Sequence, residues 1–532
     1  MPATMTNQEL YKNALCNLLM KEGLDGWHDE ENVARDPAVE LEHNIARASL
    51  LTDLAVELER KDGLACALAW YEALEQKCIC GEQAILIDYN RSNAIAGERY
   101  STEWQWEQPT LAREMFYLRR AVSHQKFAQM PEVLRCKCLN NLGNNLDVAG
   151  RAIEALECFS RVLDVQPNFG MALCNRAKTL TDYAKALEDR GEQTLLLWVA
   201  HKEASAALAP TAIYTYVRDK RNREAVKTLK EWIESVADVK GIVALDPLTW
   251  PDTSTTDEER DYRRWCLVNR LCLNPLNDLG RYSVATDDSI QLPTHIVPVD
   301  APHIFESFFD QMKQEYVSAR WFLYEGLTSK TPHFSDRGVP LQAIEPRPSL
   351  CLAIEKVKAA YRVSYSLFDK IGFFVNAYMR LGIKERDVTF KTLWRGEKGL
   401  MRKEFDVTGN ATGNWGFCAL YWLAKDFFEK VNDEVAEPQA RGLSDIRNHV
   451  EHKYLRVTVV NAPIVPPDDL ALMVSREQFG GKAMHLLKLA RSALIYLAIG
   501  VGFEERRREP GRAGMPIGEI PSTPYLTDAE KV

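Results

Sequence analysis

The chain lacks a hydrophobic run long enough to cross a membrane. Its longest apolar stretch, from Leu489 to Phe503, falls short of the roughly 20 residues that a spanning helix needs, and Arg491 interrupts it. The first residues, MPATMTNQEL, contain no basic segment followed by an apolar one, so we expect no secretion signal. These absences predict a cytoplasmic protein without a membrane span.

An excess of positive charge is also missing. Lysine and arginine together number 66, against 75 aspartates and glutamates, which gives a formal net charge of -9. A surface with this balance repels a phosphate backbone rather than attracting it. If the protein handles a nucleic acid, it must use a local cationic site.

The twelve cysteines lack the spacing of a disulfide framework or of a zinc site. They are scattered along the chain, and several fall at apolar positions of helical patterns, which favours buried free thiols. The close pairs Cys78/Cys80 and Cys136/Cys138 have neither the C-x2-C spacing nor the accompanying histidines of zinc sites. We therefore predict no metal and no cofactor.

The length of the chain exceeds what one hydrophobic core supports. It has 532 residues, whereas single cores stop growing at roughly 250 to 300 residues. Apolar residues make up 46% and charged residues 27%, which is typical of ordinary globular proteins. At least two globular parts are expected.

A helical repeat pattern occupies the N-terminal half. In NNLGNNLDVAGRAIEALECFSRVLDVQP, the small residues Gly143 and Ala155 stand where two helices would cross closely, and Phe159 fills the groove between them. Pro167 ends the second helix. Ala177 lies one period of about 34 residues after Gly143 and starts the pattern again.

The same spacing recurs upstream at Ala55, Ala67 and Tyr71. A further unit, AILIDYNRSNAIAG followed by LAREMFYLRRAV, carries extra residues around Trp104 to Pro109. These four units, between Ala48 and Ala209, resemble the tetratricopeptide repeat family. The resemblance implies stacked helix pairs with a concave surface for a protein or peptide partner.

Turn formers and acids dominate from about Ile242 to Pro302, which indicates a connector. Within it, YRRWCLVNRLCLNPLNDLG predicts a short helix and a loop packed onto a neighbour. Helical periodicity resumes at HIFESFFDQMKQEYVSARWFLYEG and continues to REQFGGKAMHLLKLARSALIYLAIGVGF, with four or five amphipathic helices typical of a bundle. From Glu504 on, RRR and four prolines predict a flexible tail.

The fold class that these patterns predict is all-α. We expect an N-terminal helical cap, a repeat domain, a connector, a helical bundle and a tail, at residues 1–46, 47–241, 242–302, 303–505 and 506–532.

One segment of the expected bundle, SDIRNHVEHKYLRV, has a polar face opposite an apolar one if it forms a continuous helix. The apolar face contains Ile446, Val450, Tyr454 and Val457. The polar face contains Arg447, Asn448, Glu451 and His452. Most such faces are simply solvated, but asparagine and histidine form helices poorly, so a plain surface gains little from them.

A metal site is an alternative for His449, Glu451 and His452. Their spacing differs from the HExxH pattern, in which two histidines four residues apart share one face of a helix. No third ligand follows them in the sequence, so we expect no metal here.

The string RNHVEH, from Arg447 to His452, resembles the signature of the HEPN superfamily. That signature has an arginine, a polar residue directly after it and a histidine beyond a gap, on a late helix of a four- or five-helix bundle. The upstream segments AYRVSYSLFDKIGFFVNAYMRLG and WCLVNRLCLNPLNDLG and the repeats strengthen the resemblance. Together they resemble a bacterial subgroup of HEPN proteins fused to tetratricopeptide repeats.

The resemblance implies metal-independent cleavage of RNA, in which the ribose 2'-hydroxyl attacks the adjacent phosphorus and leaves a 2',3'-cyclic phosphate. His452 would move the proton, since an imidazole changes charge near neutral pH. Arg447 would stabilise the negative charge that develops on the phosphorus, because its planar fork suits phosphate. Asn448 would orient the phosphate or the histidine.

Three further residues are expected in supporting roles. Glu451 shares the polar face, whereas His449 lies nearer the core edge as a helper or a packing residue. Asp369, in SYSLFDKIGFF, is a weaker candidate for an acidic partner. A satisfied structural acid is the favoured alternative for Asp369, because acids at helix edges usually have that role.

In this superfamily the active cleft commonly forms where two bundles meet, so the resemblance also implies a homodimer or a higher homo-oligomer through the bundle. Two copies would create a local cationic site on an acidic protein. The leading hypothesis is a regulated ribonuclease of bacterial antiviral defence or of a toxin system, with the repeats as sensor or docking surface. The alternatives are a non-catalytic adaptor and a partner of a nucleotidyltransferase, and no recognition signature names the RNA.

Overall fold

Helices dominate the structure, which confirms the all-α prediction. The computed structural model describes residues 7–24, 37–78, 80–99, 104–214, 219–245, 251–295, 304–342, 347–396, 399–405, 408–409, 413–427, 437–438, 440–459, 470–512 and 528–531. The helices in these ranges are α1 (Asn7–Glu22), α2 (Pro37–Glu57), α3 (Lys61–Gln76), α4 (Gly81–Gly97), α5 (Pro109–Ser123), α6 (Glu132–Val148), α7 (Ala152–Val165), α8 (Gly170–Ala186), α9 (Arg190–Leu208), α10 (Asp219–Val236), α11 (Val239–Leu245), α12 (Asp257–Asn269), α13 (Ile304–Thr328), α14 (Leu352–Tyr378), α15 (Trp415–Ala424), α16 (Ala440–Glu451) and α17 (Arg476–Arg508). The strands are β1 (Trp104–Gln105), β2 (Thr408–Gly409), β3 (Tyr454–Thr458) and β4 (Ala471–Ser475), with β1 antiparallel to β2 and β3 parallel to β4.

Helices α2 to α9 pack as consecutive pairs along the N-terminal half. Small residues lie where the paired helices touch, as the repeat spacing predicts. A Cβ atom on Gly143 of α6 would lie only 2.5 Å from the Phe159 ring of α7. Ala155, Phe159 and Ala177 are fully buried. The structure therefore contains the stacked helix pairs that the repeats predicted.

The extra residues between α4 and α5 reach across to the C-terminal half. There β1 pairs with β2, and the buried indole of Trp106 packs against Trp394, Phe405 and Tyr421, with ring centroids 6.4, 5.8 and 6.1 Å away. Each such aromatic pair contributes about 0.5–1.5 kcal/mol beyond its buried area. The insertion thus joins the array to the bundle.

The connector supplies the partners of a buried cation in the bundle. As predicted, the segment contains a short helix, α12, followed by a loop that packs onto a neighbour. The buried guanidinium of Arg491 in α17 donates hydrogen bonds to the Asp278 carboxylate at 2.7 Å and to the carbonyls of Cys272 and Asn274 at 2.5 and 2.8 Å. A cation removed from water needs such a set of acceptors.

Helix α17 lies at the centre of the bundle. By length and mean hydropathy it could cross a membrane, but 89% of its apolar window is buried inside the protein, which is typical of a core helix. Helices α13, α14 and α15 pack onto it. The approach of α15 is so close that a Cβ atom on Gly416 would lie 2.4 Å from the backbone nitrogen of Gly500.

A buried carboxylate also ties the array to the bundle. Asp426, just after α15, accepts hydrogen bonds from Arg119 of α5 at 2.6 Å and from Arg151, just before α7, at 2.7 Å. Burial alone would raise the pKa of Asp426, but the two guanidiniums hold it below its usual range. One hydrophobic core continues from the array through the connector into the bundle. The expected boundaries at residues 241 and 302 thus divide the chain but not the core.

Two of the expected boundaries differ from the structure. Helix α2 begins at Pro37, inside the segment predicted as a separate cap. Helix α17 continues to Arg508, past the predicted start of the tail at residue 506, because Arg508 bonds to Glu504 at 2.8 Å and lies 4.8 Å from the Tyr378 ring. Most of the predicted tail, residues 513–527, lies outside the described residues.

Candidate functional site

The polar motif lies at the end of α16 rather than within a longer helix. The helix ends at Glu451, and the backbone N–H of His452 still donates to the Asn448 carbonyl at 2.9 Å. From Tyr454 the chain forms β3, because YLRVTVV is rich in the β-branched and aromatic residues that favour strands. The predicted continuous helix over SDIRNHVEHKYLRV is therefore wrong beyond Glu451.

The apolar face of the motif is correspondingly shorter than predicted. Ile446 and Val450 are buried as expected. Tyr454 is 40% exposed, and Val457 is buried as a residue of β3 rather than of the helix. As a consequence, His452 stands at an exposed helix end, directly before a strand.

Arg447 is held in place by an aromatic ring and an amide. Its guanidinium carbon lies 5.5 Å from the ring centroid of Tyr365 in α14, a cation–π contact. Its Nη1 donates to the Asn448 side-chain oxygen at 3.1 Å, so the two neighbouring motif residues orient each other. Among the described residues, no carboxylate lies within salt-bridge distance of Arg447.

Asp369, one turn after Tyr365 on α14, belongs to the same site. Its carboxylate is half-buried, and burial raises its pKa, while the charges of Arg447 and Lys391 act in the opposite direction. Arg447 is thus near enough to Asp369 to influence its ionisation without forming a salt bridge with it. The structure brings together two residues that the sequence separates widely.

The two histidines of the motif differ in their surroundings. His449 is half-buried, and its Nδ1 lies 2.7 Å from the backbone carbonyl of Asp445. Because a carbonyl only accepts, this Nδ1 carries the proton, and Nε2 keeps a lone pair in the neutral ring. His452 is exposed. His449 therefore has a fixed orientation, and His452 is open to a substrate.

Arg362, which the sequence did not single out, fixes the end of α16. Its Nη2 donates to the backbone carbonyl of Val450 at 2.5 Å, and its Nε lies 3.7 Å from a carboxylate oxygen of Glu451. A cation at a helix C-terminus satisfies an orphan carbonyl and interacts favourably with the helix dipole. Glu451 therefore supports the site by pairing with Arg362 and stands apart from Arg447.

A row of α14 residues adds to the support that Arg362 gives to this region. Tyr361, also missed by the sequence reasoning, donates its hydroxyl to the Leu443 carbonyl of α16 at 2.7 Å. Tyr365 and Asp369 follow at intervals of four residues, which places them on one side of the helix. This polar spacing in AYRVSYSLFDK is the signal that could have identified the row.

The arrangement combines a fixed guanidinium, an amide and imidazoles at a solvent-accessible helix end. Such a set can bind a phosphate group and move a proton, as the chemistry of phosphate esters requires. The described parts of the chain contain no group of three or more His, Cys, Asp or Glu side chains arranged to hold a metal ion.

We expect Asp369→Asn to be at least as stable as the wild type at pH 7. Because the folded-state pKa of Asp369 is raised above its ordinary value of 3.8, the ionised carboxylate opposes folding above that pKa. This opposition vanishes below the unfolded-state pKa, so the advantage of the variant should shrink as the pH falls toward about 4. Urea unfolding at both pH values measures the difference.

Asp387→Asn is the matched control for that prediction, because the Asp387 side chain is 58% exposed and stability should change little at either pH. A clear loss of stability in Asp369→Asn at pH 7 would mean that Asp369 is a satisfied structural acid with no part in the site.

Comparison with known protein families gives a match to the C-terminal part of the chain. The family model described as LA2681-like HEPN matches residues 297–504. This range covers α13 to α16 and nearly all of α17, and it includes Arg447, Asn448 and His452. Neither the curated proteins nor the solved structures give a match. The C-terminal part of the chain is therefore a HEPN-like domain, and the motif lies within it.

Proposed function

We propose that this protein is a metal-independent endoribonuclease that cleaves RNA through the motif at the end of α16. The observation that carries the proposal is the state of Arg447. Tyr365 and Asn448 hold its guanidinium, yet no described carboxylate neutralises it by a salt bridge. A fixed arginine at an accessible helix end suits a phosphate group. The HEPN match supports a nuclease or another RNA-related role for the domain.

In the proposed reaction a bond forms between the ribose 2'-oxygen and the phosphorus, and the bond from phosphorus to the 5'-oxygen of the next nucleotide breaks. The 2'-hydroxyl proton passes to an imidazole, and the leaving 5'-oxygen takes a proton from an imidazolium. His452 is the residue assigned to proton transfer. Arg447 stabilises the charge on the pentacoordinate phosphorus, and Asn448 orients the phosphate. The products are a 2',3'-cyclic phosphate and a 5'-hydroxyl.

The proposed active form is a homodimer. The reaction needs one group that accepts a proton and another that donates one, and each copy has one exposed motif imidazole, His452. A second copy would supply the other imidazole. Beside the motif, Tyr454 and Leu470 have exposed side chains on paired backbone segments, since the Tyr454 N–H donates to the Leu470 carbonyl at 3.0 Å. Exposed apolar side chains next to the motif favour association on this side.

The helical array is proposed as the sensor or docking surface of a regulated ribonuclease acting in the cytoplasm, in antiviral defence or as a toxin. Its contact with Asp426 supports this role, because Arg119 and Arg151 of the array hold the chain shortly before α16. A non-catalytic adaptor, alone or beside a nucleotidyltransferase, is the alternative. Such an adaptor gives no reason for an arginine that is held in place without a salt bridge to any described carboxylate.

Arg447→Ala and His452→Ala should each abolish most RNA cleavage. Loss of a general acid or base lowers rates about 10²–10⁴-fold, and loss of one electrostatic donor about 10²–10³-fold. Cleavage of a labelled RNA in the presence of EDTA measures the rates. Arg386→Ala is the matched control, because that side chain is 79% exposed and far along the chain from the motif. Equal rates in all variants, or cleavage abolished by EDTA in the wild type, would contradict the proposal.

Leu470→Asp should weaken self-association at least tenfold, because the interface would then bury an unpaired carboxylate. Sedimentation velocity at micromolar concentrations measures the effect. Leu400→Asp is the control, since Leu400 is 66% exposed and Leu470 65% exposed, while Leu400 lies outside the proposed interface. A wild-type protein that stays monomeric over this range would rule out the composite site.

A further inference from the structure

A polar pocket lies where the array, the connector and α17 meet. Its walls come from α7, from the chain at and after the end of α12 and from the middle of α17. It encloses about 420 Å³ of space, including its open mouth. The residues of the RNHVEH motif do not line this pocket, so any ligand bound there would be distinct from the RNA substrate.

The acidic side chains of the pocket already have cationic partners. Asp278 accepts a hydrogen bond from Arg491 at 2.7 Å, and Glu154 accepts one from Arg151 at 3.0 Å. Each of the two acids thus has a guanidinium partner, and Arg151 is shared between Glu154 and Asp426. Asp278 on the connector wall and Glu154 on the array wall therefore add no surplus of negative charge to the pocket.

The third acid of the pocket, Glu157 of α7, has two of the pocket-lining cations beside it. Lys488 of α17 donates to its carboxylate at 2.7 Å. Burial alone would raise the pKa of Glu157, but Lys488, Arg270 and Arg161 together hold it below its usual range. Several cations thus surround one carboxylate, and Lys488 is the one bonded to it.

Among the cations that line the pocket, Arg270 is the one without a bonded carboxylate in the described part of the chain. Its Nη1 is shielded from solvent and has no hydrogen-bond partner among the described residues. Its charge also acts on Arg176 of α8: burial first and the Arg270 charge second lower the pKa of Arg176 to about 10. Arg176 is paired with Glu203, so the repulsion comes from Arg270, which has no ion pair among the described residues and lines the pocket.

The backbone conformation of Arg270 is an independent indication that its side chain has a functional role. Arg270 caps α12 in the left-handed conformation, with φ of 56°. Glycine or asparagine is the residue that favours this position at a helix C-terminus. An arginine there adopts a sparsely populated backbone region, of the kind that occurs at ligand clamps.

We propose that this pocket binds a phosphate-type oxyanion, either free phosphate or the phosphate group of a small monoester. The Arg270 guanidinium and the Lys488 ammonium would be its cationic ligands, and Nη1 of Arg270 would gain the acceptor that it lacks. A planar guanidinium suits an oxyanion with two accessible oxygens. The bound anion would also offset the repulsion between Arg270 and Arg176.

The test uses the full-length chain with Arg447→Ala and His452→Ala, because these changes remove the other proposed phosphate site and separate this proposal from the ribonuclease proposal. Inorganic phosphate and glycerol phosphate are titrated against chloride at matched ionic strength, with calorimetry and thermal unfolding as readouts. We expect saturable binding and a rise in Tm. Tighter binding of glycerol phosphate would identify a monoester as the preferred ligand, and tighter binding of phosphate the free anion.

Arg270→Gln, added to that protein, should weaken phosphate binding at least tenfold, whereas Arg264→Gln should not. Arg264 is the matched control because it lies on α12 with its side chain 68% exposed. Without phosphate, Arg270→Gln should unfold at the same temperature as its parent or above it, since it removes an unpaired buried donor. Arg270→Lys keeps the charge without the fork and should bind several-fold more weakly.

Three results would overturn the proposal. One is the absence of a saturable response to both anions. Another is equal affinity in the Arg270→Gln and Arg264→Gln proteins. The third concerns folding: if Arg270→Gln unfolds, wild-type affinity in Arg270→Lys would show that the guanidinium fork is not a ligand.

Discussion

The structure depends on the burial of α17. A helix that is apolar on nearly every side must be covered by protein on every side, and no single neighbour can do this. Helices of the bundle cover one part, the connector loop another, and Tyr496 reaches the array, where its hydroxyl accepts a hydrogen bond from the Ile153 N–H at 3.0 Å. Arg491 makes this arrangement specific, because its buried charge requires Asp278 of the connector. Removing one partner of such a buried pair costs about 3–5 kcal/mol.

The same constraint shapes the candidate site. Helix α14 packs on α17, and its residues Tyr361 and Arg362 donate to the Leu443 and Val450 carbonyls of α16. The motif is thereby organised before any substrate arrives, as electrostatic stabilisation of a transition state requires. On the other side, Arg119 and Arg151 hold Asp426. The array therefore contacts the bundle through ionic and aromatic groups, and a partner bound to the array has a physical route to the domain that carries the motif.

Local patterns in the sequence predicted most of the helices. Spacing alone indicated the contact of Gly143 with Phe159, because both belong to neighbouring helices of one repeat. It also indicated that Ile446 and Val450 are buried. The end of α16 was missed because apolar periodicity continued through a segment whose β-branched residues favour a strand.

Local sequence patterns do not predict contacts between residues that are far apart in the chain. The sequence offers no local signal that Arg119 meets Asp426, 307 residues away. The same holds for Arg447 and Tyr365, which stand on helices separated by α15. The sequence favoured a structural role for Asp369, because the proximity of Asp369 to Arg447 exists only in the folded chain. The position of a helix in the sequence is thus more predictable than the residues that the helix contacts in the folded chain.

The central claim is that side chains of the motif cleave RNA by attack of the 2'-hydroxyl. The chemistry of the RNA ends tests it most directly. RNA is incubated with the purified wild type in EDTA, and both ends at the cleavage points are identified by mass spectrometry. The account predicts a 2',3'-cyclic phosphate on one fragment and a 5'-hydroxyl on the other, both absent with the Arg447→Ala protein. Ends bearing a 5'-phosphate and a 3'-hydroxyl, or identical products from Arg447→Ala, would contradict it.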